Sequence, residues 1–194
     1  MAHDMQPDNS PAPPDAPLQE YGQQYFERYN YADRPLGKYS MYWFARRYYA
    51  ALVRRYAPPE PRRLLELGCG LGHLLGLLQD DFACVGADIA EYSIEQVRRN
   101  APRAEGLVMS ADDLTRFGAG EFGVVVALHL VEHLPDPADT IRQVSRILGD
   151  EGLFLFATGD DGNETDHQQQ CQNGNEYLLH FGAPLLEFHG FLAR

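Results

Sequence analysis

From Arg63 to Thr158 short apolar runs alternate with segments whose apolar positions recur every three or four residues. The runs are Leu64 to Leu67, Ala83 to Ala87, Gly106 to Met109, Phe122 to Leu128 and Leu153 to Ala157, and they read as strands. His73 to Leu78, Glu91 to Asn100 and Ala138 to Leu148 carry the helical spacing. Strands alternating with helices predict an α/β fold: a doubly wound, mostly parallel sheet with right-handed crossovers and helices on both faces. Asp136 before Pro137 reads as a helix start, a side-chain cap followed by proline at the first helical position. Gly149-Asp150-Glu151-Gly152 reads as the turn into the fifth strand.

The two ends break this rhythm. Residues 1–20 are rich in Pro, Asp and Gln with almost nothing apolar, so a disordered tail is expected. Residues 21–60 read as an aromatic-rich helical cap; from Tyr39 to Tyr56 the positions Tyr42, Ala45, Tyr49, Leu52 and Val53 share one helix face, and Pro58-Pro59 ends it. Tyr21, Tyr25, Tyr29 and Tyr39 either plug one end of the core or form a lid over a pocket and contact substrate. Beyond the regular core at 61–158, residues 159–174 have a loop's composition, and only Glu176 to Phe181 and Leu185 to Leu192 are apolar runs. Segment 159–194 is therefore expected to be divergent or abbreviated, with at most an abbreviated hairpin of two short strands built from those runs. Were its hairpin missing, strand five would be an exposed edge, and a homodimer through that C-terminal edge is the expected remedy.

Composition narrows the setting. A chain of 194 residues with 44% hydrophobic content supports one substantial core. It has no apolar run long enough to span a bilayer and no signal-like start, so a cytoplasmic protein without a membrane partner is expected. Cys69, Cys84 and Cys171 are too scattered for a disulfide framework or a zinc motif. A net charge of -12 argues against nucleic acid as a partner. Nine of the 16 basic residues nevertheless fall between Arg28 and Arg63, a segment that either faces an anionic ligand or is a solvated helix surface.

The chemistry gathers at strand ends. After Leu64 to Leu67 come Gly68, Gly70 and Gly72, a G-x-G-x-G loop that lets backbone approach a ligand closely. His73 stands where a dinucleotide fingerprint wants its third glycine, which argues against a nicotinamide cofactor. Asp88, about 20 residues on at the end of strand two, suits a pair of ribose hydroxyls or caps the next helix. Of Asp112 and Asp113 after strand three, Asp112 is read as the adenine contact and the other as a turn cap. Strand four ends in His129-Leu130-Val131-Glu132-His133-Leu134-Pro135-Asp136-Pro137.

Taken together, the loop, Asp88, Ala111-Asp112 and the E-H-L-x-D-P stretch resemble the class I S-adenosylmethionine-dependent methyltransferases, in particular the small-molecule, type 11/12-like branch. The resemblance covers residues 63–158 and implies a Rossmann-like fold and S-adenosyl-L-methionine as cofactor, released as S-adenosyl-L-homocysteine. It implies Glu66, Gly68, Gly70 and Gly72 around the methionine moiety, Asp88 on the ribose, Asp112 beside the adenine, Leu128 and His129 bordering the cofactor, and Cys69, Ile89 and Ala111 as further cofactor-binding positions. The activity implied is in-line methyl transfer to a small-molecule acceptor, in which positioning supplies much of the acceleration. His129, then His133, are the candidate general bases, each with the competing reading of a structural histidine. Some relatives carry an E-x-x-E-H metal site here; His129, Glu132 and His133 offer ligand types, with His167, His180 and His189 downstream, but no metal is expected. The alternatives are a cofactor-binding protein without catalysis and a non-methylating cyclase or decarboxylase on the same scaffold.

Overall fold

The computed structural model describes residues 40–158, 175–182 and 185–191. The expected tail, Tyr21, Tyr25, Tyr29, Tyr39, His167, Cys171 and the polar segment before residue 175 lie outside the described residues. Helix α1 (Met41–Tyr56) begins at Ser40, whose hydroxyl accepts from the Trp43 N–H at 3.1 Å. Then come β1 (Arg63–Leu67), α2 (His73–Leu78), β2 (Ala83–Asp88), α3 (Glu91–Asn100), β3 (Glu105–Val108) and β4 (Phe122–Leu128). A 3-10 turn (Val131–His133), α4 (Pro137–Ile147), β5 (Leu148–Thr158), β6 (Asn175–Gly182) and β7 (Leu185–Phe191) complete the order. The Asp136 side chain accepts from the Asp139 N–H at 2.9 Å with Pro137 in the first turn, the start that the sequence predicts for α4.

The strands form one seven-stranded sheet in the order β3-β2-β1-β4-β5-β6-β7. β1 to β5 are mutually parallel, and β6 and β7 are each antiparallel to the preceding strand. Side chains of the central strands alternate between two buried clusters. Leu64, Val124, Val126, Leu153 and Leu155 join Tyr49, Val53, Leu74, Leu75, Leu78, Ile94 and Val97 on one face. Leu65, Leu67, Val125, Ala127, Phe154 and Phe156 join Leu114, Phe117, Val144 and Ile147 on the other. Both faces are covered, which is why these strands read as unbroken apolar runs; each fully buried Leu, Val or Phe contributes roughly 1.5–3 kcal/mol.

The two C-terminal apolar runs form a hairpin, and β5 is paired from Gly152 with Phe181 through Thr158 with Asn175. β5 is therefore no edge, and the edges are β3 and β7, so the reason for expecting a dimer at strand five falls away. Gly149 to Gly152 also belongs to β5 rather than to a free turn. The register jumps from Phe122↔Leu148 to Val124↔Leu153, so the extra residues bulge out of the ladder and pairing resumes beyond them. Among the described residues no helix is long and apolar enough to cross a membrane.

Candidate cofactor site

The carboxyl ends of β1, β2 and β4 meet at the glycine loop. Gly68, Gly70 and Gly72 have φ of 63°, 49° and 74°, left-handed values that would strain any residue with a β-carbon. Space agrees with conformation at Gly72, where a Cβ would stand 2.9 Å from Val97 Cγ2 and 3.0 Å from its Cα. Gly72→Ala is expected to cost about 2 kcal/mol, lowering the melting temperature by about 4–8 °C in a thermal melt. The Cys69 N–H donates to the Ala87 carbonyl at 3.0 Å, which ties the loop to β2.

Asp88 makes the second tie. Its Oδ2 accepts from the Gly70 N–H and its Oδ1 from the Ala90 N–H, both at 2.9 Å. Burial pushes its carboxyl above the ordinary range, and these two amides oppose the shift. Asp88 thus ties the loop to the residue at the start of α3, Ala90, without capping the helix's first turn. Each carboxylate oxygen has a second lone pair, so two amides leave acceptor capacity for a ligand.

Glu66 is the most unusual group of the site. It lies on β1 with 4% of its surface exposed, and its Oε2 has no hydrogen-bond partner among the described residues. Burial raises its pKa to about 8; Arg46 on α1 opposes the rise, and Asp88 adds to it. Strand alternation turns Glu66 to the face that α1 and α2 cover, because its neighbours Leu65 and Leu67 belong to the opposite cluster.

Helix α1 reaches this site through Tyr42, whose hydroxyl lies 2.9 Å from His73 Nδ1, and through Arg46, whose guanidinium sits 4.6 Å from the centre of the Tyr42 ring. His73, at the first turn of α2, is pushed down to about 4 by burial and by Arg46, so its ring is neutral. The sequence places neither Tyr42 nor Arg46 here by name; the arginine-rich stretch before β1 is the only signal of them.

The remaining expected residues fall around the same strand ends. Ala111 and Leu128 are buried and Ile89 half-buried. Asp113 accepts from the Thr115 N–H at 3.0 Å and its hydroxyl at 2.5 Å, so it caps the turn, while the exposed Asp112 gives its backbone carbonyl to Gln143. His129 has φ of 53°, a left-handed value at the end of β4, and its N–H donates to the Ala157 carbonyl at 2.8 Å. His129 Nδ1 is 3.9 Å from Glu132 Oε1, and His133 is exposed. Among the described residues no three His, Cys, Asp or Glu side chains are grouped to hold a metal. Cys69 and Cys84 are buried free thiols, Cys84 pushed up to about 12 by burial.

A glycine loop stapled by the acid of strand two, with a buried carboxylate beneath it, is the geometry against which known proteins can be compared. A family model described as a methyltransferase domain matches residues 42–184. The chain belongs to this methyltransferase family. Within the family, it is 34% identical over 107 residues to a ubiquinone biosynthesis O-methyltransferase of Caulobacter sp. (strain K31), covering 52% of this chain and 42% of the relative. A second such enzyme, from Neisseria meningitidis, is 31% identical over 104 residues, covering 50% and 44%. The chain thus spans less than half the length of these relatives. Among solved structures, a SAM-dependent methyltransferase of Thermotoga maritima, a possible histamine N-methyltransferase, superposes with a TM-score of 0.55 at 22% identity, covering 71% of this chain and 61% of its own. The [4+2]-cyclase SpnF gives 0.50 at 21%, covering 59% and 44%. At these identities, the two structures establish the fold that the methyltransferase-family chain shares with them.

Proposed function

We propose that this chain binds S-adenosylmethionine and transfers its methyl group to the oxygen of a small-molecule acceptor. The observation that carries the reading is Asp88, which holds the glycine loop through Gly70 while retaining acceptor capacity toward a ribose. The residues present fit the cofactor: the unpartnered, buried Glu66 Oε2 suits the ammonium of a methionine moiety, and Arg46, which lies over the Tyr42 ring and acts electrostatically on Glu66, suits the carboxylate. Asp112, left uncommitted by the turn that Asp113 caps, is assigned to the adenine. When bound, the cofactor supplies an electrophilic sulfonium methyl. The relatives' names, O-methyltransferases, support oxygen as the acceptor atom.

The chain's own part is placement and proton handling. The loop and Asp88 fix the direction of approach, which converts a bimolecular collision into a positioned encounter. His129 is the base for an acceptor hydroxyl, because its backbone is locked to Ala157 at the mouth of the sheet and its ring remains one-third exposed. Glu132, at 3.9 Å, stabilises the positive charge that the ring takes on when it accepts the proton. His129→Ala is expected to lower kcat about a hundredfold, with cofactor affinity unchanged. Calorimetry with S-adenosylmethionine and S-adenosylhomocysteine tests the reading as a whole. Micromolar binding of both followed by turnover on a panel of hydroxylated acceptors supports it, and binding of neither sinks it.

A further inference from the structure

We infer that Tyr42 and His73 form a latch that makes helix α1 a wall of the cofactor site, and that Tyr42 acts as a positioning residue for Arg46. The inference rests on the function proposed above. It starts from an anomaly of the motif: position 73, where a dinucleotide loop would have glycine, carries a side chain only 8% exposed. Its Nδ1 meets the hydroxyl of Tyr42, a residue 31 positions earlier, at 2.9 Å, and the two rings stand edge to face at 5.6 Å. The His73 ring is neutral, so one nitrogen carries the proton and the other a lone pair, and the bond forms in either tautomer: Tyr42 O–H donates to a bare Nδ1, or Nδ1–H donates to the hydroxyl oxygen.

The contact matters because of what sits on it. Arg46 is one helical turn beyond Tyr42, and its guanidinium rests 4.6 Å above the ring that His73 fixes. From there Arg46 acts electrostatically on both His73 and Glu66. The path from the glycine loop to the cation runs His73, Tyr42, Arg46, and it ends back at Glu66 in β1. The other end of α1 has separate anchors: Arg54 bonds Asp81 at 2.7 Å and the Leu77 carbonyl at 2.5 Å. Loss of the Tyr42 hydroxyl therefore loosens the cofactor end of the helix without detaching it from the fold.

Calorimetry on the 194-residue chain, with S-adenosylmethionine and S-adenosylhomocysteine, tests the latch in Tyr42→Phe, His73→Leu, the double variant and His73→Asn. One lost hydrogen bond predicts about a fivefold weaker affinity in Tyr42→Phe, a similar loss in His73→Leu, and no further loss in the double variant. His73→Asn, whose amide oxygen stands near the place of Nδ1, is expected to restore binding to within about twofold of wild type. Cofactor KM follows the affinities while kcat stays within about twofold. Hydrogen exchange on ligand-free protein is expected to quicken in the first turns of α1 in Tyr42→Phe. Affinity in Tyr42→Phe equal to wild type, additive losses in the double variant, or no rescue by His73→Asn overturns the inference. Wild-type protein that binds neither ligand overturns the function on which the latch rests, and unchanged α1 exchange in Tyr42→Phe overturns the latch by itself.

Discussion

Asp88→Ala is expected to abolish measurable cofactor binding and to loosen the fold in one stroke. Two effects add. The ligand loses the acceptor for its ribose, and charged hydrogen bonds of this kind contribute about 1.5–3 kcal/mol each, so affinity falls about a thousandfold. The protein loses the partners of Gly70 N–H and Ala90 N–H, each held at 2.9 Å, which costs a further 2–3 kcal/mol or so of stability. Calorimetry reads the first and thermal unfolding the second. Asp88→Asn separates them: its amide oxygen retains one backbone acceptor, so stability returns in part while the charge needed by two hydroxyls does not. Full affinity in Asp88→Ala would remove the foundation of the proposed function.

Glu66→Gln is expected to move stability and affinity in opposite directions. The folded pKa of Glu66, about 8, lies above its ordinary 4.5, so the folded state holds the proton more tightly than the unfolded one. The sign follows. Stability from this group is complete below about pH 4.5 and is lost as pH rises through 8, a loss on the order of 5 kcal/mol. Replacement by the neutral amide removes that dependence. Unfolding curves for the variant and wild type should nearly coincide near pH 5 and separate by about 8 °C or more near pH 9, the variant being the more stable. Affinity should fall about a hundredfold, because an ammonium group then meets an amide in place of a buried carboxylate. In wild type, ionisation of Glu66 accompanies ligand binding, so affinity measured between pH 6 and 8 should rise with pH, by up to about tenfold per unit. A flat profile would place the ammonium elsewhere.

How much of this is legible in the sequence depends on the range of the interactions. The glycine loop, Asp88 at the end of β2 and the Asp136-Pro137 start of α4 are local chemistry, readable because turn and cap residues act on their immediate neighbours. The bulge in β5 is less readable: its residues look like a turn, and only pairing with β4 shows that the strand continues through them. The hairpin's two strands are legible as the apolar runs Glu176 to Phe181 and Leu185 to Leu192, whereas the register of β6 along β5 is a property of the assembled sheet. Tyr42 and Arg46 join the site from a helix that precedes β1, through a contact across 31 residues, and no local pattern encodes such a meeting. Glu66 is legible as a residue but not as an acid with one oxygen left unpartnered, since that depends on what α1 and α2 bring over it.

The left-handed His129 owes its pose to a strand that is itself shored from the far side. Its N–H is fastened to the Ala157 carbonyl, and Ala157 is in register with Leu128 on one flank and with Glu176 on the other. β6 and β7 therefore act as a buttress: load placed on the end of β4 passes through Ala157 into a hairpin formed by residues 175–191. Substitutions in that hairpin, although distant in sequence from the glycine loop, bear on the pose of His129, the base proposed above.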